Sequence, residues 1–244
     1  MSERARSLSL TEAVDRLLSR DRILVGVDFD GTLAPIVDHP DDAIPDPTAI
    51  KLLRDLANRP DIEVVVVSGR ALDDLRLRLG DLPGATLIGE HGNDIGASAS
   101  HDPLITEAVA MIGEIADSVG ATVERKQRSV TFHYRNLSEA EAATSLRRIR
   151  AWVQDYDEVR ILEGKNVIEL STATRNKGDA IRDLAGAVSV IYIGDDTTDE
   201  TVFEMLGPKD IGVKVGDGPT AANYRVEDID GVVAILTQVA LASG

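Results

Sequence analysis

Short apolar runs alternate along this chain with segments of helical spacing. Ile23–Val27 and Ile62–Val67 are rich in β-branched residues and predict buried parallel strands. Thr86-Leu87-Ile88-Gly89 predicts a short third strand, and Val188–Ile193 a further one. Helical spacing covers Leu8 to Leu18, 47–58, 71–79 and 177–186, with Thr11 as N-cap of the first and Pro47 near the first turn of the second. Strands alternating with helices predict an α/β fold built on a doubly wound parallel sheet.

Between about 98 and 172 the pattern changes. A helix over 103–118 precedes 121–126 and 129–135, which alternate at period two across a short polar turn and predict an antiparallel hairpin. A second helix, 138–155, opens on Ser138 as N-cap with Glu141 at the third position, the capping-box pattern. Val159–Leu162 and Val167–Leu170 form a second hairpin around Gly164. This α-β-β repeat predicts a smaller α/β domain with an antiparallel sheet, 98–172, inserted into a core made of 1–97 and 173–244.

The 244 residues allow one large domain or two modest ones. Aromatics are 3% of the chain, so the core is built from Val, Ile, Leu and Ala. There is no Cys, which excludes disulfides, thiolate chemistry and cysteine zinc sites. A net charge of −16 disfavours nucleic acid and anionic membranes as partners, and any phosphate site must be locally positive. The first residues are polar and lead into no long apolar run, so neither a signal peptide nor a spanning helix is expected. The default is a cytoplasmic monomer acting on a small molecule.

Chemistry concentrates where the predicted strands end. Asp28-Phe29-Asp30-Gly31-Thr32 follows the first strand, where open α/β sheets place their ligand sites. Two carboxylates that close resist joint ionisation unless a cation sits between them, and a hard divalent ion with oxygen ligands meets that need. The pair suggests a Mg²⁺ site with one carboxylate free to attack phosphorus. Ser68-Gly69-Arg70 ends the second strand, where a hydroxyl and a backbone N–H opening a helix can hold phosphate oxygens. Asn176-Lys177-Gly178 opens a helix with a cation. Gly194-Asp195-Asp196-Thr197-Thr198-Asp199-Glu200 follows the last predicted strand and offers carboxylates to complete a Mg²⁺ shell. Taken singly, each has a plainer reading: an acidic turn, a reverse turn, a solvated lysine, an acidic loop.

Taken in order and spacing, the four signals resemble the four motifs of the haloacid dehalogenase superfamily of aspartate-nucleophile phosphatases. The resemblance sharpens to the trehalose-6-phosphate phosphatase family through Asp28–Val37, Glu90-His91-Gly92, Val123-Glu124-Arg125-Lys126, Ser129–Arg135, Gly164–Glu169, Asn176-Lys177-Gly178, and Gly194–Glu200 with Phe203. It covers about 22–226 and implies a Rossmann-like core with an inserted α/β cap of the C2B type. It implies Asp28 as nucleophile, Asp30 as acid and base, and Mg²⁺ on Asp28, the Asp30 carbonyl and Asp195. Ser68, Gly69, Arg70 and Lys177 would serve the phosphate, with Asp196 and Asp199 in support. Glu124, Lys126, Lys165 and Glu169 would choose the sugar. Each of these cap pairs is separated by an even number, so each can project to one sheet face; surface salt bridges are the plainer reading. His133 and Arg135 read as structural, and His91 as a residue able to reach the cap boundary.

One stretch departs from the family pattern. After Glu169 the family has a hydrophobic residue and then Arg-Pro, whereas here Leu170-Ser171-Thr172-Ala173-Thr174-Arg175 stands. A cation is lost unless Arg175 replaces it. The substrate expectation is trehalose 6-phosphate, with glucosylglycerate phosphate or sucrose phosphate as alternatives, and a phosphomutase reaction as a different class on the same fold.

Overall fold

The computed structural model describes residues 8–37, 39–94, 102–126, 128–164 and 166–241. Lys165 and the expected domain boundary at 97/98 lie outside them. Contacts divide the chain into two compact units, Met1–Gly96 with Arg175–Gly244, and Ala97–Thr174.

The first unit is a six-stranded parallel sheet. Its strands are β1 (Ile23–Asp28), β2 (Ile62–Val67), β3 (Thr86–Ile88) and, after the second unit, β8 (Ser189–Gly194), β9 (Ile211–Val215) and β10 (Tyr224–Val226). Their spatial order is β10-β9-β8-β1-β2-β3, and every pairing is parallel. The order runs outward from β1 to β3, then returns to the other side of β1. That reversal creates a crevice at the carboxyl ends of β1 and β8.

Side-chain alternation sorts the two faces. Val25, Val27, Val64, Val66, Ile191 and Ile193 face α1 (Leu10–Leu18), α2 (Pro47–Ala57), α3 (Leu72–Leu79) and α8 (Ile229–Leu241). Leu24, Val65, Val67, Val190 and Tyr192 face α6 (Lys177–Ala185) and α7 (Glu200–Phe203). By the same parity Gly26 and Asp28 lie on the α6 face. α1 is capped by Ser9, whose hydroxyl closes a capping box with Glu12, not by Thr11; Ser9-x-x-Glu12 supplies both halves of that motif. Asp46 accepts from Thr48 N and Ala49 N and starts α2 with Pro47 in its first turn.

The second unit packs α4 (Pro103–Val119) and α5 (Glu139–Val153) on an antiparallel sheet. The strands are β4 (Thr122–Arg125), β5 (Ser129–His133), β6 (Arg160–Gly164) and β7 (Val167–Ser171), ordered β4-β5-β7-β6. The two expected hairpins are thus joined through β5 and β7 into one sheet. Ser138 caps α5 through the expected capping box with Glu141. Val130, Phe132, Ile168 and Leu170 carry the apolar face onto the helices. Among the described residues no helix is long and apolar enough to cross a membrane.

Candidate active site

Asp28 is the last residue of β1 and is buried, as is Lys177, the first residue of α6. Lys177 Nζ donates to Asp28 Oδ1 at 2.7 Å and to Asp199 Oδ1 at 2.8 Å, and lies 3.8 Å from Asp196 Oδ1. Burial opposes the ammonium charge, but Asp28, Asp199 and Asp196 together raise the Lys177 pKa above its ordinary value. Burial drives the Asp28 carboxyl well above the usual carboxylate range, with Lys177 opposing the shift.

The loop after β8 is organised by its own acids. Asp196 Oδ1 accepts from Thr198 N, Thr198 Oγ1 and Asp199 N, turning the chain back. Burial acts against its charge, but Lys177 and the Thr198 donors win and hold its pKa at about 2. Asp199 is fully buried. Its Oδ2 accepts from Asp195 N at 3.0 Å and Asp196 N at 3.1 Å, and its Oδ1 accepts from Lys177 and from the Tyr192 hydroxyl at 2.7 Å. Burial, followed by Asp196 and Asp199, pushes the Asp195 carboxyl up to about 6.

This cluster suits a hard cation. Asp28, Asp195 and Asp199 offer carboxylate oxygens within 4.8 Å of one another. Gly31, at φ +77°, makes room: a Cβ there would lie 2.0 Å from Asp195 Oδ2. An all-carboxylate donor set fits Mg²⁺ better than a softer ion. Asp199 belongs to this triplet by distance, yet four donors already occupy its oxygens, which leaves Asp28 and Asp195 as the carboxylates of the triplet that could hold a cation.

Ser68 follows β2 and is buried; its Oγ accepts from Arg70 N at 3.1 Å. Glu90, His91 and Gly92 all have positive φ. His91 N donates to Ser68 O, and the imidazole lies against Gly69, where a Cβ would come within 2.4 Å of it. Arg70 is placed on Asp30 rather than free for a phosphate. Its Nε and Nη2 take the two Asp30 oxygens at 2.8 and 2.7 Å, Nη2 also reaches Pro40 O, and Nη1 reaches Asp74 at 2.7 Å. Its guanidinium lies over the Phe29 ring. Arg175, the possible replacement for the missing cation, is paired with Asp183 at 2.7 Å.

In the second unit Glu124 stands opposite Thr131, and Thr131 opposite Glu169, one cross-strand row. Lys126 Nζ is 3.8 Å and His133 Nε2 3.5 Å from Glu124. His133, expected to be structural, joins this polar face because it lies two residues from Thr131. Two further residues escape sequence reasoning. Tyr192 reads as core, and its hydroxyl reaches the site. Lys214, on β9, is buried and its charge lowers the pKa of Asp195; the signal is a lysine inside an apolar strand.

A sequence profile of the trehalose-phosphatase family matches residues 26–230. The chain belongs to the trehalose-phosphatase family. It is 35% identical to a bifunctional trehalose-6-phosphate synthase/phosphatase of Thermoproteus tenax, over 93% of this chain and 34% of that one. It is 34% identical to a trehalose-phosphate phosphatase of Mycobacterium ulcerans, over 86% of this chain and 59% of that one. The chain therefore spans about a third to three fifths of the length of these curated relatives. Among solved structures, an Aspergillus fumigatus trehalose-6-phosphate phosphatase superposes with a TM-score of 0.74 at 25% identity, covering 97% and 99% of the two chains. A trehalose-6-phosphate phosphatase related protein gives 0.71 at 28% identity, covering 89% and 97%. The parallel-sheet core with a separate antiparallel sheet is the haloacid dehalogenase architecture that the trehalose-phosphatase family shares, as expected from the motifs.

Proposed function

We propose that this chain is a Mg²⁺-dependent phosphatase that hydrolyses trehalose 6-phosphate to trehalose and inorganic phosphate through an aspartyl-phosphate. The observation that carries the reading is the buried Lys177 ammonium shared by Asp28 and Asp199 at the carboxyl end of β1. A lone acidic loop has no need of a buried cation at that point. Phosphoryl transfer, in contrast, needs an in-line nucleophile and positive charge for the equatorial oxygens.

Asp28 attacks phosphorus, and the bond to the sugar oxygen breaks. Asp30 protonates that oxygen as it leaves, then takes a proton from the water that hydrolyses the aspartyl-phosphate. Lys177, the Ser68 hydroxyl and the Gly69 N–H hold phosphate oxygens. Asp28, the Asp30 carbonyl and Asp195 would hold Mg²⁺, with Asp196 and Asp199 orienting the loop. When bound, the ion neutralises charge on the transferring group. Glu124, Lys126, Lys165 and Glu169 select the sugar.

The identity of the relatives supports trehalose 6-phosphate over other glycosyl phosphates. The test is phosphate release across a panel of sugar phosphates with Mg²⁺ present. Trehalose 6-phosphate should be turned over with the highest kcat/KM; a clear preference for sucrose phosphate or glucosylglycerate phosphate would reassign the substrate. A phosphorylated sugar product without phosphate release would indicate a mutase.

A further inference from the structure

We propose that Tyr192 is a positioning residue for the phosphoryl-transfer centre, its hydroxyl tying Asp199, and through it Lys177 and the Asp195 loop, to the rigid centre of the sheet. The inference rests on the reading of Asp28, Lys177 and Asp195 given above.

The Asp199 carboxylate accepts four hydrogen bonds, from Lys177 Nζ, Tyr192 Oη, Asp195 N and Asp196 N. Three of these donors belong to parts that must themselves be positioned: a long lysine side chain and two peptides of a loop. The fourth is anchored. Tyr192 lies within β8, hydrogen-bonded between β1 and β9, in register with Gly26 on one side and Gly212 on the other. Its ring is fully buried and meets Phe203 edge-on, with centroids 5.8 Å apart. Tyr192 is therefore the donor that relates the Asp199 carboxylate to the strand next to the one that ends in Asp28.

Gly26 makes this reach possible. A Cβ at Gly26 would lie 2.7 Å from Tyr192 Cδ2, closer than side-chain carbons approach. Glycine inside a buried strand weakens it and needs a reason. Here the bare backbone lets the ring lie across β1 and extend its hydroxyl towards Asp199. Burial first, then the charges of Asp199 and Asp28, hold the phenol well above its ordinary pKa, so it stays a donor.

Tyr192→Phe keeps the ring and removes the hydroxyl. With trehalose 6-phosphate as substrate, kcat should fall at least tenfold while KM stays within about twofold, since the sugar contacts are untouched. Calorimetric titration of Mg²⁺ into the protein without substrate should show at least threefold weaker binding. Gly26→Ala, which displaces the same ring, should lower kcat too, and the double variant should lose far less than the product of the two single losses. A Tyr192→Phe protein with a lowered Tm but parental kcat and Mg²⁺ affinity well below that Tm would overturn the proposal, as would fully multiplicative losses. If Gly26→Ala does not fold, the Tyr192→Phe measurements decide alone. A parent protein that releases no phosphate would defeat the functional reading instead, and the Mg²⁺ titration would still test Tyr192.

Discussion

Arg70 grips Asp30 through two parallel hydrogen bonds, Nε to Oδ2 at 2.8 Å and Nη2 to Oδ1 at 2.7 Å. The guanidinium is itself fixed by Asp74, by Pro40 O and by the Phe29 ring, and Asp74 is held in turn by Arg78, which ties down Asp41. The carboxylate assigned to acid and base work is thus aimed by a braced partner. Arg70→Ala should lower kcat on a sugar phosphate by roughly 10- to 100-fold, the scale of charge-assisted hydrogen bonds worth about 1.5–3 kcal/mol. An aryl phosphate, whose leaving group needs no proton, should lose much less in its first step. The check is pre-steady-state release of the leaving group on both esters; equal losses would sever the link between Arg70 and proton transfer.

Lys177 and Asp28 should respond oppositely in stability. Lys177 offsets several buried or half-buried acids, so Lys177→Met leaves Asp28 and Asp199 without their cation and should cost about 3–5 kcal/mol, the scale for breaking a buried pair. Asp28→Asn removes one negative charge from a cluster with too many, while Asp199 still holds the lysine. Its Tm in chelator should match or exceed that of the parent, while its activity should fall by several orders of magnitude. Thermal unfolding with excess chelator gives both signs. A Tm for Asp28→Asn well below the parent would contradict the electrostatic account.

Much of this architecture can be read from the chain, for identifiable reasons. Strands buried on both faces are continuous apolar runs, so β1 and β2 stand out, and Asp28, Ser68 and Asp195 are located by where those runs stop. The pattern predicts no element beyond Gly194 because β9 is interrupted by Gly212 and Lys214, β10 has three residues, and α8 is apolar with little polar contrast. Tyr192 is indistinguishable from core in sequence, since only the third dimension shows that its hydroxyl passes the end of the apolar layer. Arg70 sits in a phosphate-binding turn by pattern, yet its side chain is long enough to be drawn to Asp30. His133 reads as structural until strand register puts it beside Glu124.

Proton and metal should compete at Asp195. Its carboxyl is raised to about 6, by burial first and by Asp196 and Asp199 next. The folded protein without metal therefore binds a proton that the unfolded chain, with an ordinary carboxyl near 3.9, has released. Between about pH 4 and 6 the native state holds more protons than the unfolded state, so this group makes the chelated protein less stable as pH rises through that window. Mg²⁺ must displace the same proton, so its affinity should fall at least tenfold for each pH unit below 6. Titration calorimetry at pH 5, 6 and 7 checks this; a flat Mg²⁺ affinity across that range would contradict it.

The polar face of the four-stranded sheet carries the final expectation. Glu124, Thr131 and Glu169 form one row across β4, β5 and β7, and His133 and Lys126 lie close to Glu124. Apolar residues of the other face serve the helices, so this face has no packing duty that demands charge. Exposed ion pairs contribute at most about 1 kcal/mol to stability, and if these residues did nothing else their loss would leave kinetics unchanged. Hydroxyl-rich sugars, by contrast, suit carboxylates and an imidazole that accept and donate hydrogen bonds. Glu124→Ala, Glu169→Ala and His133→Ala should each raise KM for trehalose 6-phosphate about 5- to 50-fold, while KM and kcat for an aryl phosphate lacking the sugar stay near parental values. Loss of both activities in parallel would mean that these residues support folding or chemistry instead of sugar choice. Unchanged kinetics on both esters would leave them as surface pairs and move substrate selection elsewhere in the chain.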